Sequence, residues 1–233
     1  MLNFLGIGAQ KSGTTWLYHT LSRHPEISFP GGKEVHYWNN PQGRSVEWYS
    51  TLFSNDKKMN GDITPAYSFL PKTTIQAIHS VFPNLRLIYL IRNPMERAWS
   101  AARMALSRAE LQHNEASDQW FMDHFKSEGS LMRGDYETCI RHWRSIFHPN
   151  QLLIIRYESI SGDPAATANK CLNHLALDEY FSTADSAHLG EKIFEGDGMA
   201  LRNSLRKPLA AIYASRTASL SDYLNEDFSD WLV

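Results

Sequence analysis

The chain reads as an α/β protein, a central parallel sheet between two layers of helices. Three observations predict this. First, a short apolar run (Phe4, Leu5, Ile7) passes through the polar, glycine-containing loop Gln10-Lys11-Ser12-Gly13-Thr14-Thr15 into a stretch with Trp16, Leu17, Thr20 and Leu21 on one helical face. Second, Leu85-Arg-Leu-Ile-Tyr-Leu-Ile91 is nearly continuous in apolar residues, as suits a strand buried on both faces of a parallel sheet. It leads into Arg92-Asn93-Pro94, where Asn93 fits a helix cap and Pro94 a first helical position. Third, an amphipathic stretch over 134–147 precedes another buried strand over 151–157.

The elements follow in alternation. Strand one covers 3–9 and helix one 13–23, closed by His24-Pro25-Glu26. Ile27-Ser28-Phe29 is a short extended piece and Pro30-Gly31-Gly32 a turn. Residues 45–53 form a helix, Met59 to Ile63 a short strand broken by Thr64-Pro65, and 71–82 a helix before the strand at Leu85. The long helix from Pro94 runs into 108–130, a polar, mixed stretch that reads either as a lid or as a solvated helix-loop. After the strand at 151–157, a helix covers 163–175, the pattern weakens, and a last helix covers 206–224. The sequence has no internal repeat and no low-complexity tract.

At 233 residues the chain can bury one substantial core and is expected to form a single domain, 1–233. Its 42% hydrophobic and 21% charged residues are ordinary for a globular protein. A formal net charge of −2 argues against a broad nucleic-acid-binding surface, while allowing a local basic pocket. No apolar stretch approaches the length of a membrane span. The first strand begins almost at once, leaving no room for a signal peptide if Met1 is the natural start, so a cytoplasmic location is expected. Cys139 and Cys171 make no disulfide framework and read as buried thiols. The ten histidines show no ligand spacing, so no metal is expected.

The loop after strand one is suited to an anion. A helix N-terminus offers unpaired N–H groups and a partial positive charge, and Lys11 adds a full one. It is not the nucleotide-triphosphate loop G-x-x-x-x-G-K-[ST], because Leu5 and Gln10 stand where the two glycines belong. At the end of the Leu85 strand, where a triphosphate-using enzyme often carries a magnesium-binding Asp, this chain carries Arg92. A guanidinium binds phosphate in bidentate fashion and repels a metal. Together the two loops point to an anionic nucleotide held without metal.

Gln10-Lys11-Ser12-Gly13-Thr14-Thr15-Trp16 and Arg92-Asn93-Pro94-x-x-Arg97-x-x-Ser100 resemble the two phosphate-binding motifs of the sulfotransferases that use 3′-phosphoadenosine-5′-phosphosulfate (PAPS). Gly32-Lys33-Glu34-Val35-His36-Tyr37-Trp38, followed by Glu47-Trp48-Tyr49, resembles the acceptor-side segment of the heparan-sulfate-type branch, which comprises the N-deacetylase/N-sulfotransferases, the 3-O-sulfotransferases and bacterial relatives. Tyr136 to Trp143 and Gln151 to Glu158 are similar to a later helix and strand of the family. The resemblance spans roughly residues 3 to 160. It implies the three-layer, P-loop-like sulfotransferase fold, with PAPS as donor and 3′-phosphoadenosine-5′-phosphate (PAP) as product.

The resemblance also implies roles. Lys11 would stabilise the leaving phosphate, and Ser12, Gly13, Thr14 and Thr15 would hold the 5′-phosphate. Arg92 and Ser100 would hold the 3′-phosphate, and Trp16 and Tyr157 would lie at the adenine. Trp16 and Tyr157 read equally as packing residues. Glu34 is expected to be the general base, where partial burial would raise its pKa towards a useful value, with His36 as the alternative. As an ordinary surface residue, Glu34 would instead pair with Lys33. Arg97 and Arg103 would either add potential to the phosphate pocket or form a solvated face.

Two departures stand out. In Gly61-Asp62-Ile63-Thr64-Pro65-Ala66-Tyr67, Ile63 occupies the position of a family Lys, and Lys72 is a nearby cation. The Lys/Gly/Arg cluster expected to close on the 3′-phosphate is scattered over Lys192, Gly196, Gly198 and Arg202. The acceptor is expected to be a hydroxylated small molecule, lipid or glycan, less readily an amine, met by loops 29–50, 61–70 and 104–133. Two rival readings are a magnesium-dependent P-loop kinase, which Arg92 contradicts, and a catalytically idle PAP- or PAPS-binding protein. Oligomeric state has no signature in the sequence.

Overall fold

The computed structural model describes residues 1–53, 59–112, 114–190 and 199–232. In chain order the elements are β1 (Leu2–Gly8), α1 (Thr14–Leu21), β2 (Ile27–Ser28), α2 (Val46–Thr51), β3 (Met59–Ile63), α3 (Lys72–Val81), β4 (Arg86–Ile91), α4 (Pro94–Arg108), α5 (Asp118–Lys126), α6 (Glu128–Gly134), α7 (Tyr136–Arg144), β5 (Leu152–Arg156), α8 (Tyr157–Gly162), α9 (Pro164–His174), α10 (Ser186–Gly190) and α11 (Asn203–Leu224). Contacts divide the chain into two compact units, one of Met1–Ile91 with Arg141–Phe194, the other of Arg92–Ile140 with Glu195–Val233.

The first unit holds the sheet. Among the described residues it has five strands in the order β2-β3-β1-β4-β5. Every pairing is parallel, with Leu5 opposite Asp62 and Leu87, and Ile91 opposite Arg156. The run Leu85 to Ile91 is buried throughout except at Arg86. Alternation explains why it needs no polar face. Ile88 and Leu90 join an apolar cluster with Leu17 and Leu21 of α1 and Ala168, Cys171 and Leu172 of α9, while Leu87, Tyr89 and Ile91 point the other way and are buried too. Gly61 is dictated by packing across the strands, because a Cβ there would lie 2.1 Å from the ring of its register partner Phe4.

The second unit packs α4, α5 and α11 around Trp99, Phe121, Phe125, Leu205, Leu209 and Tyr213. The polar stretch 108–130, read as lid or solvated helix-loop, forms α5 and the start of α6, capped by Ser117 and Ser127. Phe121 and Phe125 are fully buried, so the charges of this stretch decorate a packed helix. Arg97 is on no solvated face. It is fully buried, and its Nη2 donates to the Ser130 carbonyl at 2.9 Å and lies 3.3 Å from the Tyr213 hydroxyl.

The short helices α8 and α10 are absent from the sequence-based expectation. Both thiols are buried, and burial pushes that of Cys171 up to about 12. Lys192, Gly196 and Gly198 lie outside the described residues. Among the described residues, no helix is long and apolar enough to cross a membrane.

Candidate nucleotide-binding and active site

The loop expected to receive an anion is built where β1 ends, in the first unit. Ala9 N–H donates to the Leu90 carbonyl at 2.7 Å, tying the strand's exit to β4. Ser12 N–H donates back to the Ala9 carbonyl at 3.2 Å, which curls the loop. Lys11 and Gly13 both take left-handed backbone conformations, φ 67° and 94°. Such turns bring successive N–H groups to one side, the arrangement that receives anions. Gly13 is the N-cap of α1; no side chain caps this end, and its first turn carries no acid. The helix therefore keeps its orphan donors and positive end available to an outside anion.

Two observations test whether this loop suits a phosphate. Ser12 Oγ is buried and has no hydrogen-bond partner. A buried hydroxyl without a partner is costly, and a phosphate oxygen would satisfy it. At Gly13 a Cβ would meet Tyr157 Cδ2 at 2.9 Å and Ile160 Cδ1 at 3.1 Å, so the backbone there is closed in by α8. The residues present fit a bound phosphate group.

Thr14 is buried, while Lys11 and Thr15 are partly exposed. Tyr157, the first residue of α8, is partly buried with its ring beside Gly13, so the structure brings it to the loop. Trp16 is 7% exposed within the apolar cluster, and its Nε1 donates to the Leu189 carbonyl at 2.8 Å. Its edge and ring are engaged in packing.

The segment expected to face the acceptor is also in the first unit. Glu34 and His36 both have left-handed backbones, φ 63° and 59°. Their side chains meet, with His36 Nε2 3.4 Å from Glu34 Oε2. His36 Nδ1 lies 3.1 Å from Asn39 Oδ1, and Lys33 Nζ donates to Glu34 Oε1. The Glu34 side chain is 38% exposed and pairs with Lys33, as an ordinary surface residue would, and with His36 as well. Ile63 is fully buried against Gly6, where a lysine would have no water for its ammonium. Lys72 is exposed at the start of α3.

What sequence reasoning missed here is a network beneath the segment. Asp62, fully buried on β3, accepts from Tyr49 OH at 2.8 Å, Tyr67 OH at 2.9 Å and Thr64 Oγ1 at 2.7 Å. Burial pushes its carboxyl above the usual range, while these hydroxyls and the Val35 N–H pull it back down. The available signal was an acidic residue inside an otherwise uncharged short strand.

Arg92 and Ser100 belong to the second unit. Asn93 caps α4, its Oδ1 accepting from the N–H groups of Met95 and Glu96 at 2.9 and 3.3 Å. Tyr136 OH donates to the Arg92 carbonyl at 2.7 Å and fixes the backbone there. Arg92 Nη2 is 3.5 Å from Glu96 Oε2. Residues 92, 96 and 100 are four apart, which puts Glu96 and Ser100 on one helical face and Arg92 at its head. Arg202 precedes α11. Its Nη1 donates to Asp118 Oδ1 at 2.7 Å, its Nη2 to the Ala116 carbonyl at 2.9 Å, and its guanidinium lies 4.6 Å from the centre of the Phe121 ring. Among the described residues, no group of three or more His, Cys, Asp or Glu could hold a metal ion.

Comparison with known proteins adds to this geometry. Residues 3–183 match the sulfotransferase domain family. The chain is 31% identical over 144 residues to the membrane-associated sulfotransferase kil1 of Dictyostelium discoideum, covering 60% of this chain and 30% of that one. It is 27% identical over 176 residues to human heparan sulfate glucosamine 3-O-sulfotransferase 6, covering 73% and 51%. It is 28% identical over 201 residues to mouse bifunctional heparan sulfate N-deacetylase/N-sulfotransferase 4, covering 78% and 23%. The chain thus spans from about a quarter to about a half of the length of these relatives. Among solved structures, a sulfotransferase from Alicyclobacillus acidocaldarius superposes with a TM-score of 0.75 at 24% identity, covering 99% of this chain and 98% of that one. Mouse SULT7A1, crystallised with PAP, gives 0.63 at 17% identity over 95% and 89%. At these identities the likeness is one of fold, a central parallel sheet with flanking helices. With residues 3–183 matched by the family and that fold present, the chain belongs to the sulfotransferase family.

Proposed function

We propose that this chain transfers a sulfuryl group from PAPS to a hydroxyl, less readily an amine, of a small-molecule, lipid or carbohydrate acceptor, leaving PAP. The donor supplies the sulfuryl group and the phosphate on which negative charge grows as the bond breaks. The observation that carries the reading is the loop at the head of α1, with its uncapped helix end, its unpartnered Ser12 hydroxyl and Gly13 closed in by Tyr157. PAP in the crystal structure of mouse SULT7A1 and the names of the heparan-sulfate relatives support the choice of nucleotide and acceptor class.

In this reading the chain contributes position and charge, which supply most of the catalysis in the related case of phosphoryl transfer. The N–H groups of the loop and the hydroxyls of Ser12, Thr14 and Thr15 bind the 5′-phosphate. Lys11 places its ammonium at the leaving oxygen. Arg92 and Ser100 bind the 3′-phosphate, Arg92 exchanging its Glu96 partner for a phosphate oxygen. Tyr157 is a better aromatic for the adenine than Trp16, whose indole N–H is taken by Leu189. Arg202 is left out, because its donors go to Asp118 and Ala116. Glu34 takes the acceptor's proton at a carboxylate oxygen, with His36 alongside to share it. These roles are compatible with an enzyme working without a metal ion.

Calorimetry with PAP and with ATP, each with and without Mg²⁺, tests the reading. Tight PAP binding indifferent to Mg²⁺ is the expected result. Preference for ATP with Mg²⁺ would overturn it in favour of a kinase. PAP binding that never leads to PAP release from PAPS, with any acceptor, would leave a nucleotide-binding protein that does no chemistry.

A further inference from the structure

We propose that Asp62 is a positioning residue that holds the acceptor-side segment 34–38 in the shape that presents Glu34 and His36. This rests on the reading of Glu34 as proton acceptor. A carboxylate offers about four acceptor sites and no donor. Asp62 meets three donors, the hydroxyls of Tyr49, Tyr67 and Thr64.

Two of those hydroxyls pass the contact on. Thr64 Oγ1 donates to Asp62 and accepts from His36 N–H at 3.4 Å. Tyr67 OH donates to Asp62 and accepts from Trp38 N–H at 3.5 Å. Beside them, Glu34 N–H donates to the Ile63 carbonyl at 3.1 Å. The amides of residues 34, 36 and 38 are therefore all tied to the end of β3, two of them through hydroxyls held by Asp62.

The segment needs such a tie. Glu34 and His36 are non-glycine residues in left-handed conformations, which persist only where the surroundings impose them. Both side chains are more than a third exposed, so little packing holds their direction. What aims them is the backbone, and the backbone is hung from Asp62. Tyr49 adds rigidity from the far side, stacked at 4.7 Å on Tyr37 of the same segment.

The test compares Asp62→Asn, Thr64→Val and Thr64→Ser. Asn in place of Asp puts an NH₂ against hydroxyl donors. Thr64→Val keeps the shape and removes only the hydroxyl, and Thr64→Ser restores it. Three quantities are read: the rate of sulfuryl transfer from PAPS to acceptor or water with release of PAP, the affinity for PAP, and amide hydrogen exchange over 34–38. In Asp62→Asn and Thr64→Val, turnover should fall by about 100-fold, the usual consequence of misplacing a group by about 1 Å. Exchange at His36 should rise at least about tenfold. PAP affinity should stay within about twofold, and Thr64→Ser should recover most of the turnover. A merely structural Asp62 would lower PAP affinity along with turnover, and that result overturns the proposal. So does unchanged exchange at 36 in Thr64→Val, the variant that decides the matter if Asp62→Asn fails to fold. Glu34→Gln in parallel separates the two readings. If it turns over normally, the base assignment is wrong. If it collapses while Thr64→Val is fully active, only the positioning role of Asp62 falls.

Discussion

The ring of Tyr157 stands where a side chain on Gly13 would have to go: a Cβ built there meets Tyr157 Cδ2 at 2.9 Å. With φ at 94°, Gly13 is closed to other residues on two counts, backbone conformation and space. Gly13→Ala should lower stability by about 1–3 kcal/mol, the range for a residue forced into a sparsely populated conformation. It should weaken PAP binding by at least about tenfold, or 1.4 kcal/mol. Thermal melting and calorimetry check the two effects. A variant that binds PAP like the wild type would remove Gly13 from the phosphate loop.

Glu34 is partnered on both sides, by Lys33 and by His36. Glu34→Gln keeps its size and loses its basicity. Turnover should drop by about 10²- to 10⁴-fold, the usual contribution of a positioned proton acceptor. PAP affinity should hold within about twofold, since the residue is assigned to the acceptor side. His36→Ala should cost less than Glu34→Gln. The reverse ranking would move the base to His36.

Arg92 and Arg202 separate a phosphate-binding arginine from one engaged elsewhere. Arg92→Ala should weaken PAP by about 10- to 100-fold, in line with the loss of charge-assisted hydrogen bonds worth about 1.5–3 kcal/mol. It should leave adenosine 5′-phosphate binding nearly unchanged, because that nucleotide has no 3′-phosphate. Arg202→Ala should lower the melting temperature through lost contacts to Asp118, Ala116 and Phe121, with PAP affinity unchanged. Titration of both nucleotides into both variants settles the assignment.

Three histidines make stability depend on pH. Burial holds His124 below the usual histidine range, and the positive charges of Arg97 and Arg133 push it further down. Burial, then Arg86, does the same at His174, and burial partly offset by Glu26 does so at His24. Each folded-state pKa lies below the unfolded value of about 6.5, so the unfolded chain binds more protons in between. Their stabilisation is fully present above about pH 6.5 and is lost as pH falls through the depressed values. Melting temperature should decline from pH 7.5 to 5.5, and His124→Gln should flatten part of that decline. A flat wild-type profile over this range would contradict it.

Much of the sheet was legible because burial on both faces leaves its mark on every residue of a strand. Leu85 to Ile91 could hardly be read otherwise, and Asn93-Pro94 marked the start of α4 within a residue. The first helix proved shorter than 13–23 and begins after Gly13, because that residue's left-handed backbone cannot continue a helix backwards. The stretch 108–130 was harder. Its two buried phenylalanines are diluted by many polar neighbours, and only packing against α4 and α11 reveals which face is inside.

The sequence alone determined the residue types at the loop after β1, the guanidinium after β4 and the order of the main strands and helices, since these depend on local chemistry and on repeating patterns. Only the tertiary structure decided how side chains are used. It engaged Trp16 with Leu189 and Arg202 with Asp118, buried Arg97 beside Tyr213, and left Glu34 at the surface between Lys33 and His36. It also joined Tyr49, Asp62, Thr64 and Tyr67 into one network beneath the segment that carries Glu34. The physical reason is that burial and hydrogen-bond partners belong to residues distant in the chain, as Trp16 and Leu189 are, and no local pattern encodes such a pairing.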